Sequence, residues 1–218
     1  MRHVIVGNGI TSVTAAQAIK QANLSAEVKI IGAEPYPYYR RPLLWKFIAG
    51  QIDRDAVVFR PARWYEERGI RLRLGTEVTK LEPDDHNIIL ADNSKVVYDR
   101  LLLATGARSQ VPDCEGAEKE GVFALRSLDD AVAIKAYGGK VSKAIVVGGG
   151  LLGLETAKAL RTVGLEVTVV EFLAHLLPRQ LDVEGASVLQ SLLEAQGLRI
   201  VTGAETESIL GDACVRGI

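Results

Sequence analysis

Three clusters of residues in this sequence have types and spacing suited to chemistry. The clearest is Gly148-x-Gly150-x-x-Gly153, which follows the apolar run Ile145-Val146-Val147 and leads into a helical pattern over 154–161. In such a turn the first glycine permits the tight reversal and the second lets a pyrophosphate approach the backbone. The third lets helix and strand pack closely. The phosphate charge then meets the positive end of the helix. Glu171 follows the next apolar run, Val167-Thr168-Val169-Val170. There its carboxylate can take both hydroxyls of an adenosine ribose and would repel a 2′-phosphate, which favours NADH over NADPH. The second cluster is Gly7-x-Gly9-x-x-Ser12 after Val4-Ile5-Val6, with Glu34 beyond Val28-Lys29-Ile30-Ile31. Ser12 replaces the third glycine with another small residue. The third cluster is Leu101-Leu102-Leu103-Ala104-Thr105-Gly106-Ala107-Arg108. An apolar strand that ends in Thr-Gly can turn under a ligand, with Arg108 placed to meet phosphate. The plainer reading is an ordinary strand end beside a surface arginine.

These residues need elements to hold them. The two glycine turns, about 140 residues apart, each sit in a strand–turn–helix–strand opening, too far apart for a solenoid repeat. The matched small residues Ala16 with Ala157 and Ala18 with Ala159 strengthen the repeat. Between them a short helix is expected over 60–68, with Pro61 in its first turn. Short alternating stretches at 70–74, 76–81, 87–90 and 95–98 predict a small antiparallel meander. The unalternated run 101–104 predicts a strand returning to the centre of a parallel sheet. Helices are expected over 127–136 and 181–196, the latter closed by Gly197, with a further strand at 198–201. The predicted fold is α/β. It has two Rossmann-like dinucleotide-binding folds with parallel sheets, plus the meander. The expected domains are 1–110 and 122–218, joined by a linker at 111–121.

Composition limits the alternatives. With 48% hydrophobic and 24% charged residues, the 218-residue chain is core-forming. The 26 basic and 27 acidic residues leave a net charge of −1, which gives no basis for a general nucleic-acid or anionic-membrane surface. Tyr36-Pro37-Tyr38-Tyr39-Arg40-Arg41 is too short to overturn that. No stretch is long enough for a transmembrane helix and no secretory signal is evident, so a cytoplasmic location and no membrane partner are expected. The two cysteines, Cys114 and Cys214, lie far apart, which excludes a neighbouring redox dithiol and a zinc ribbon. His3, His86 and His175 are scattered, so no metal site is expected.

The ordered set of GxGxxS, Glu34, Arg41-Pro42-x-Leu44-x-Lys46, Ala104-Thr105-Gly106, GxGxxG-x-Glu155 and Leu177-Pro178-Arg179-x-Leu181-Asp182 resembles the two-dinucleotide-fold flavoproteins. These include the pyridine nucleotide-disulfide oxidoreductases. It is most similar to the branch without a redox disulfide: NADH:rubredoxin reductases, ferredoxin reductases and the flavin module of assimilatory nitrite reductase. The resemblance implies FAD on the first fold and NAD(H) on the second. Gly7, Gly9 and Ser12 would hold the FAD pyrophosphate and Glu34 the adenosine ribose. Val78 would meet adenine through its backbone. Ala104, Thr105, Gly106 and Arg108 would lie under the flavin and its phosphates. Arg41 and Lys46 would approach the isoalloxazine, where a cation stabilises reduced flavin. Gly148, Gly150, Gly153 and Glu171 would hold NADH. Glu155 would face the nicotinamide or pair with Lys46; its simpler role is to complement the helix dipole. A solvated surface lysine is likewise the simpler reading of Lys46.

The stretch 38–46 has no cysteine where disulfide reductases of the family carry theirs, so the resemblance implies one-electron exit to a rubredoxin, a ferredoxin or a sirohaem module. Family members are considerably longer. The chain is therefore expected to be an N-terminal portion with neither fold complete, needing a further segment, a homodimer or a second subunit. Two rival readings follow: a nucleotide-binding module or remnant without full activity, and an NADH oxidase that uses oxygen.

Overall fold

The computed structural model describes residues 1–109, 111 and 114–218. Position 110 and positions 112 and 113 of the expected linker lie outside the described residues. The chain opens with β1 (Arg2–Val6), α1 (Ile10–Ala22) and β2 (Glu27–Ile31), followed by the short helices α2 (Leu44–Ile48), α3 (Arg54–Val57) and α4 (Ala62–Glu66). Then come β3 (Ile70–Arg73), β4 (Val78–Glu82), β5 (Asn87–Leu90), β6 (Lys95–Val97) and β7 (Arg100–Leu103). The remainder is α5 (Leu128–Gly138), β8 (Lys143–Val147), α6 (Leu151–Thr162), β9 (Glu166–Glu171), α7 (Val183–Ala195), β10 (Leu198–Thr202), β11 (Leu210–Gly211) and β12 (Val215–Gly217). Two compact units result: residues 1–40 with 55–108, and residues 41–54 with 109–218. The segment 41–54, which carries α2, thus packs with the second unit.

In the first unit β3-β2-β1-β7 form a wholly parallel sheet. Successive side chains on a strand point to opposite faces. Ile5, Val28 and Ile30 therefore pack with Val13 and Ala16 of α1, and with Trp64, Tyr65 and Ile70. Val4, Val6 and Ile31 face the other way, onto Ile88, Leu90, Val96 and Tyr98. Burial on both faces is why β1 and β2 read as nearly continuous apolar runs. Arg2, at the start of β1, ties that strand to the residue before β7. Its backbone N–H donates to Asp99 Oδ2 at 2.7 Å and its guanidinium to Oδ1 at 2.8 Å, which holds the Asp99 carboxyl down at about 2.

The meander is the antiparallel sheet β4-β5-β6. The stretch 70–74, expected as its first strand, instead pairs parallel with β2, Val28 opposite Ile70. As the edge of the parallel sheet, β3 buries Ile70 while Arg71 is exposed, and that asymmetry produces its alternating pattern. β7 does pair parallel with β1, but it forms an edge of this sheet rather than its centre.

In the second unit β10-β9-β8 form a parallel three-stranded sheet. Ser127 begins α5 with a reciprocal capping box to Asp130, and Asp182 caps α7 by accepting from Gly185 N–H at 2.8 Å. α2 buries Leu44, Phe47 and Ile48, and the Lys135 ammonium on α5 donates to the Phe47 carbonyl at 2.9 Å. Among the described residues no helix is long and apolar enough to cross a membrane.

Candidate functional site

Each unit presents one glycine turn at the C-terminal end of its first strand. In the first unit Gly7 has φ +107° and donates its N–H to the Ile31 carbonyl at 2.7 Å. A β-carbon there would fall 2.1 Å from the Ala104 carbonyl oxygen, so the close approach of two backbones requires glycine. Gly9 is the N-cap of α1, and it supplies no side-chain oxygen. Ser12 is fully buried, and its hydroxyl has no partner among the described residues.

In the second unit Gly148 has φ +110° and Gly150 is the N-cap of α6. A β-carbon on Gly153 would sit 2.0 Å from the Gly148 carbonyl oxygen, whereas one on Gly150 would meet nothing within 4 Å. The third glycine is therefore required by packing. The second faces open space, which is the room a pyrophosphate needs beside the backbone.

The two helices that start at these turns differ from the other long helices. α1 and α6 have no side-chain cap and no acidic residue in their first turns. α5 and α7 are capped by Ser127 and Asp182 and carry acids in their first turns. The first backbone N–H groups of any helix lack intrahelical partners. At α5 and α7 the chain's own oxygens serve them, while at α1 and α6 they remain open to an anion. The residues present thus fit a dinucleotide at each turn.

The carboxylates at or just after the ends of the second strands are both engaged. Buried Glu171 accepts from Gly149 N–H at 2.5 Å through Oε2 and from Leu173 N–H at 2.8 Å through Oε1. It therefore braces the glycine turn. The Leu177 N–H reaches the Gly149 carbonyl at 3.3 Å, a second brace on the turn. In the first unit Tyr39 Oη donates to Glu34, whose main-chain carbonyl accepts from Gly75 N–H at 3.1 Å.

The first unit also holds residues that sequence reasoning missed. Tyr65 Oη donates to Asn8 Oδ1 at 2.9 Å and accepts from Tyr38 N–H at 3.1 Å. Asn8 Nδ2 donates to the Tyr36 carbonyl at 3.3 Å. The residue between the two glycines is thus tied through a buried phenol to the loop that carries Tyr39. Burial raises the Tyr65 pKa above its ordinary value. The signal in the sequence was a polar-tipped aromatic at a helix's buried position, which normally finds a partner. Tyr65→Phe leaves Asn8 Oδ1 and Tyr38 N–H without this partner. The expected cost is about 1–3 kcal/mol in chemical denaturation of the protein. A midpoint unchanged from wild type would show that water replaces the phenol freely.

Of the other expected site residues, Val78 begins β4 opposite Leu90 and Ala104 is half-buried. Thr105, Gly106 and Arg108 are exposed just beyond β7, with Gly106 at φ +77°. Arg41 and Lys46 belong to the second unit, as does Glu155 on α6. Lys46 is half-buried with its ammonium 5.5 Å from the Trp45 ring centre, and among the described residues no ion pair joins it to Glu155. The Glu120 carboxylate, 3.6 Å from Cys214 Sγ, pushes that thiol's pKa up, the opposite of what a thiolate nucleophile needs. Among the described residues no cluster could hold a metal ion.

Parallel βαβ units with open glycine turns and a carboxylate at or just beyond the end of the second strand define a dinucleotide-binding α/β protein. The chain belongs to the pyridine nucleotide-disulphide oxidoreductase family, whose profile matches residues 1–216. It is 38% identical over 216 residues to nitrite reductase [NAD(P)H] of Bacillus subtilis, covering 99% of this chain and 27% of that protein. It is 31% identical over 212 residues to rubredoxin-NAD(+) reductase of Pseudomonas putida, covering 97% of this chain and 55% of that one. A ferredoxin reductase from Rhodopseudomonas palustris superposes with a TM-score of 0.91 at 27% identity, covering 97% of this chain and 53% of its own. The chain thus spans about half or less of the length of these relatives.

Proposed function

We propose that this chain is the dinucleotide-handling part of an FAD-dependent NAD(P)H oxidoreductase that works without a redox disulfide. The first unit takes FAD and the second takes NADH. The observation that carries this reading is the pair of uncapped helices at the two glycine turns, set against the self-capped α5 and α7. The relatives' names support electron exit to a rubredoxin, a ferredoxin or a nitrite-reducing module.

The turn formed by Gly7, Gly9 and Ser12 holds the FAD pyrophosphate at the open start of α1. Glu34, with one oxygen fixed by Tyr39, takes the ribose hydroxyls. Val78 meets adenine through its backbone. Ala104, Thr105 and Gly106 would hold the flavin, and Arg108 its phosphate. Bound there, FAD supplies two-electron acceptance from NADH and single-electron release. Arg41 and Lys46 would supply positive charge of the kind that stabilises a reduced flavin. Gly148, Gly150 and Gly153 hold the NADH pyrophosphate, Glu171 the ribose, and Glu155 orients the nicotinamide end.

Anaerobic mixing of the flavin-loaded protein with NADH and with NADPH tests this. The flavin absorbance should bleach, and faster with NADH. A protein that purifies without flavin and binds none, or a flavin that NADH does not bleach, overturns the reading. Rapid reoxidation by oxygen with no transfer to a carrier would assign it to the oxidases instead.

A further inference from the structure

Arginines that the dinucleotide turns do not use are arranged in a ladder on the first unit. The Arg40 guanidinium carbon lies 3.6 Å from the centre of the Phe59 ring, and that of Arg60 lies 4.3 Å from the same centre. Arg60 is also 5.0 Å from the Trp64 ring centre, and Arg68 is 4.6 Å from it. The order is Arg40, Phe59, Arg60, Trp64, Arg68. The rings are anchored: Phe59 meets buried Tyr38 edge-on at 6.0 Å, and Trp64 meets Tyr65 edge-on at 5.0 Å. The guanidiniums therefore stand on the core rather than on mobile stems.

Their charge is incompletely answered. Arg68 lies 3.8 Å from Glu67 and donates to the Trp64 carbonyl at 3.1 Å. Glu67 is shared with Arg63, at 2.7 Å. Arg40 and Arg60 have no side-chain hydrogen bond and no ion pair among the described residues. Two cations on one ring repel each other, in a chain whose net charge is −1. A guanidinium stacked on a ring keeps its edge N–H donors free and already oriented, in a fork that matches a carboxylate. Trp64 is buried beneath the arginines, so the outer layer offers cations and no bare indole on which a nucleic-acid base could stack.

We propose that the ladder of Arg40, Arg60 and Arg68 is the docking surface for the carboxylate-rich face of a one-electron carrier protein. This rests on the reading that electrons leave this protein to such a carrier. Opposite charge on the two faces raises the rate and specificity of encounter.

The test is calorimetric binding of the flavin-loaded protein to an acidic [2Fe–2S] ferredoxin and to an acidic rubredoxin, at low and at high NaCl. The comparison is with an Arg40→Gln/Arg60→Gln double variant. Wild type should bind at least one carrier, more weakly at high salt. The variant should bind about tenfold more weakly at low salt and lose most of the salt dependence. NADH-driven reduction of a neutral quinone should be the same in both proteins, because neither arginine belongs to the dinucleotide turns. Equal affinity in the two proteins overturns the proposal, and so does salt-independent wild-type binding. Arginine-dependent binding of a single-stranded oligonucleotide without carrier binding also overturns it. If NADH does not reduce the wild-type flavin, the functional reading fails. If the quinone is reduced but neither carrier binds, the docking proposal alone fails.

Discussion

Gly7→Ala is expected to abolish flavin retention and to destabilise the first unit by more than about 3 kcal/mol, because it combines two penalties. The first is conformational: φ at Gly7 is +107°, where L side chains rarely sit. The second is steric, and it is larger. The new β-carbon would fall 2.1 Å from the Ala104 carbonyl oxygen and 2.7 Å from its carbon. Neither atom is the end of a flexible side chain. The Ala104 N–H is bonded to the Val6 carbonyl at 2.8 Å, so the collision can be relieved only by parting β1 from the chain beyond β7. Gly75→Ala is the control that separates the two penalties. Gly75 has φ +60° and nothing within 4 Å, so only backbone strain remains, about 1 kcal/mol. Gly148→Ala should fall between Gly7→Ala and the control, because Gly148 also meets nothing within 4 Å but its φ of +110° lies outside the left-handed region that Gly75 occupies. Denaturant midpoints and the ratio of flavin to protein absorbance report both effects. Equal midpoints for Gly7→Ala and Gly75→Ala would show that the backbone approach at Ala104 carries no weight.

The same geometry explains which parts of this protein its sequence reveals. The glycine turns are legible because φ and close approach restrict their residue types locally. A strand ending in Gly-x-Gly followed by a helix leaves few alternatives. Ser12 was readable as a small residue at the third position of the turn, and it is fully buried. The assignment of β3 was not. Ile70-Arg71-Leu72-Arg73 alternates as a half-exposed strand does, and alternation says nothing about whether the partner runs parallel at a sheet edge or antiparallel in a meander. The grouping of 41–54 with the second unit depends on what Leu44, Phe47 and Ile48 bury against, and no local pattern encodes that. Asn8 and Tyr65 meet across 57 positions of sequence, so neither signals the other. Within the candidate site, therefore, the backbone of the glycine turns was readable. The side chains that hold it in place were not.

Glu171 shows how much that distinction matters. Read as a ribose ligand alone, it would affect only nucleotide affinity and the choice between NADH and NADPH. In the structure its two oxygens accept from the N–H groups of Gly149 and Leu173, at 2.5 and 2.8 Å. Hydrogen bonds to a charged group contribute about 1.5–3 kcal/mol each, and a buried donor left alone incurs its full desolvation cost. Glu171→Ala is thus expected to lower the stability of the nucleotide-free second unit by about 2–4 kcal/mol. NADH binding should weaken by about ten- to a hundredfold, since the glycine turn proposed to hold its pyrophosphate loses its brace. The preference for NADH over NADPH should shrink because a repelling charge is gone. NADPH affinity should nonetheless not rise above the wild-type value. Glu171→Gln keeps the shape but offers one accepting oxygen to two donors, so it should fall between wild type and alanine in both measurements. Denaturation of the nucleotide-free variants, beside NADH and NADPH titrations, separates the two roles. If alanine leaves the nucleotide-free midpoint unchanged while NADH binding falls, the carboxylate acts on the ribose alone and the brace is incidental.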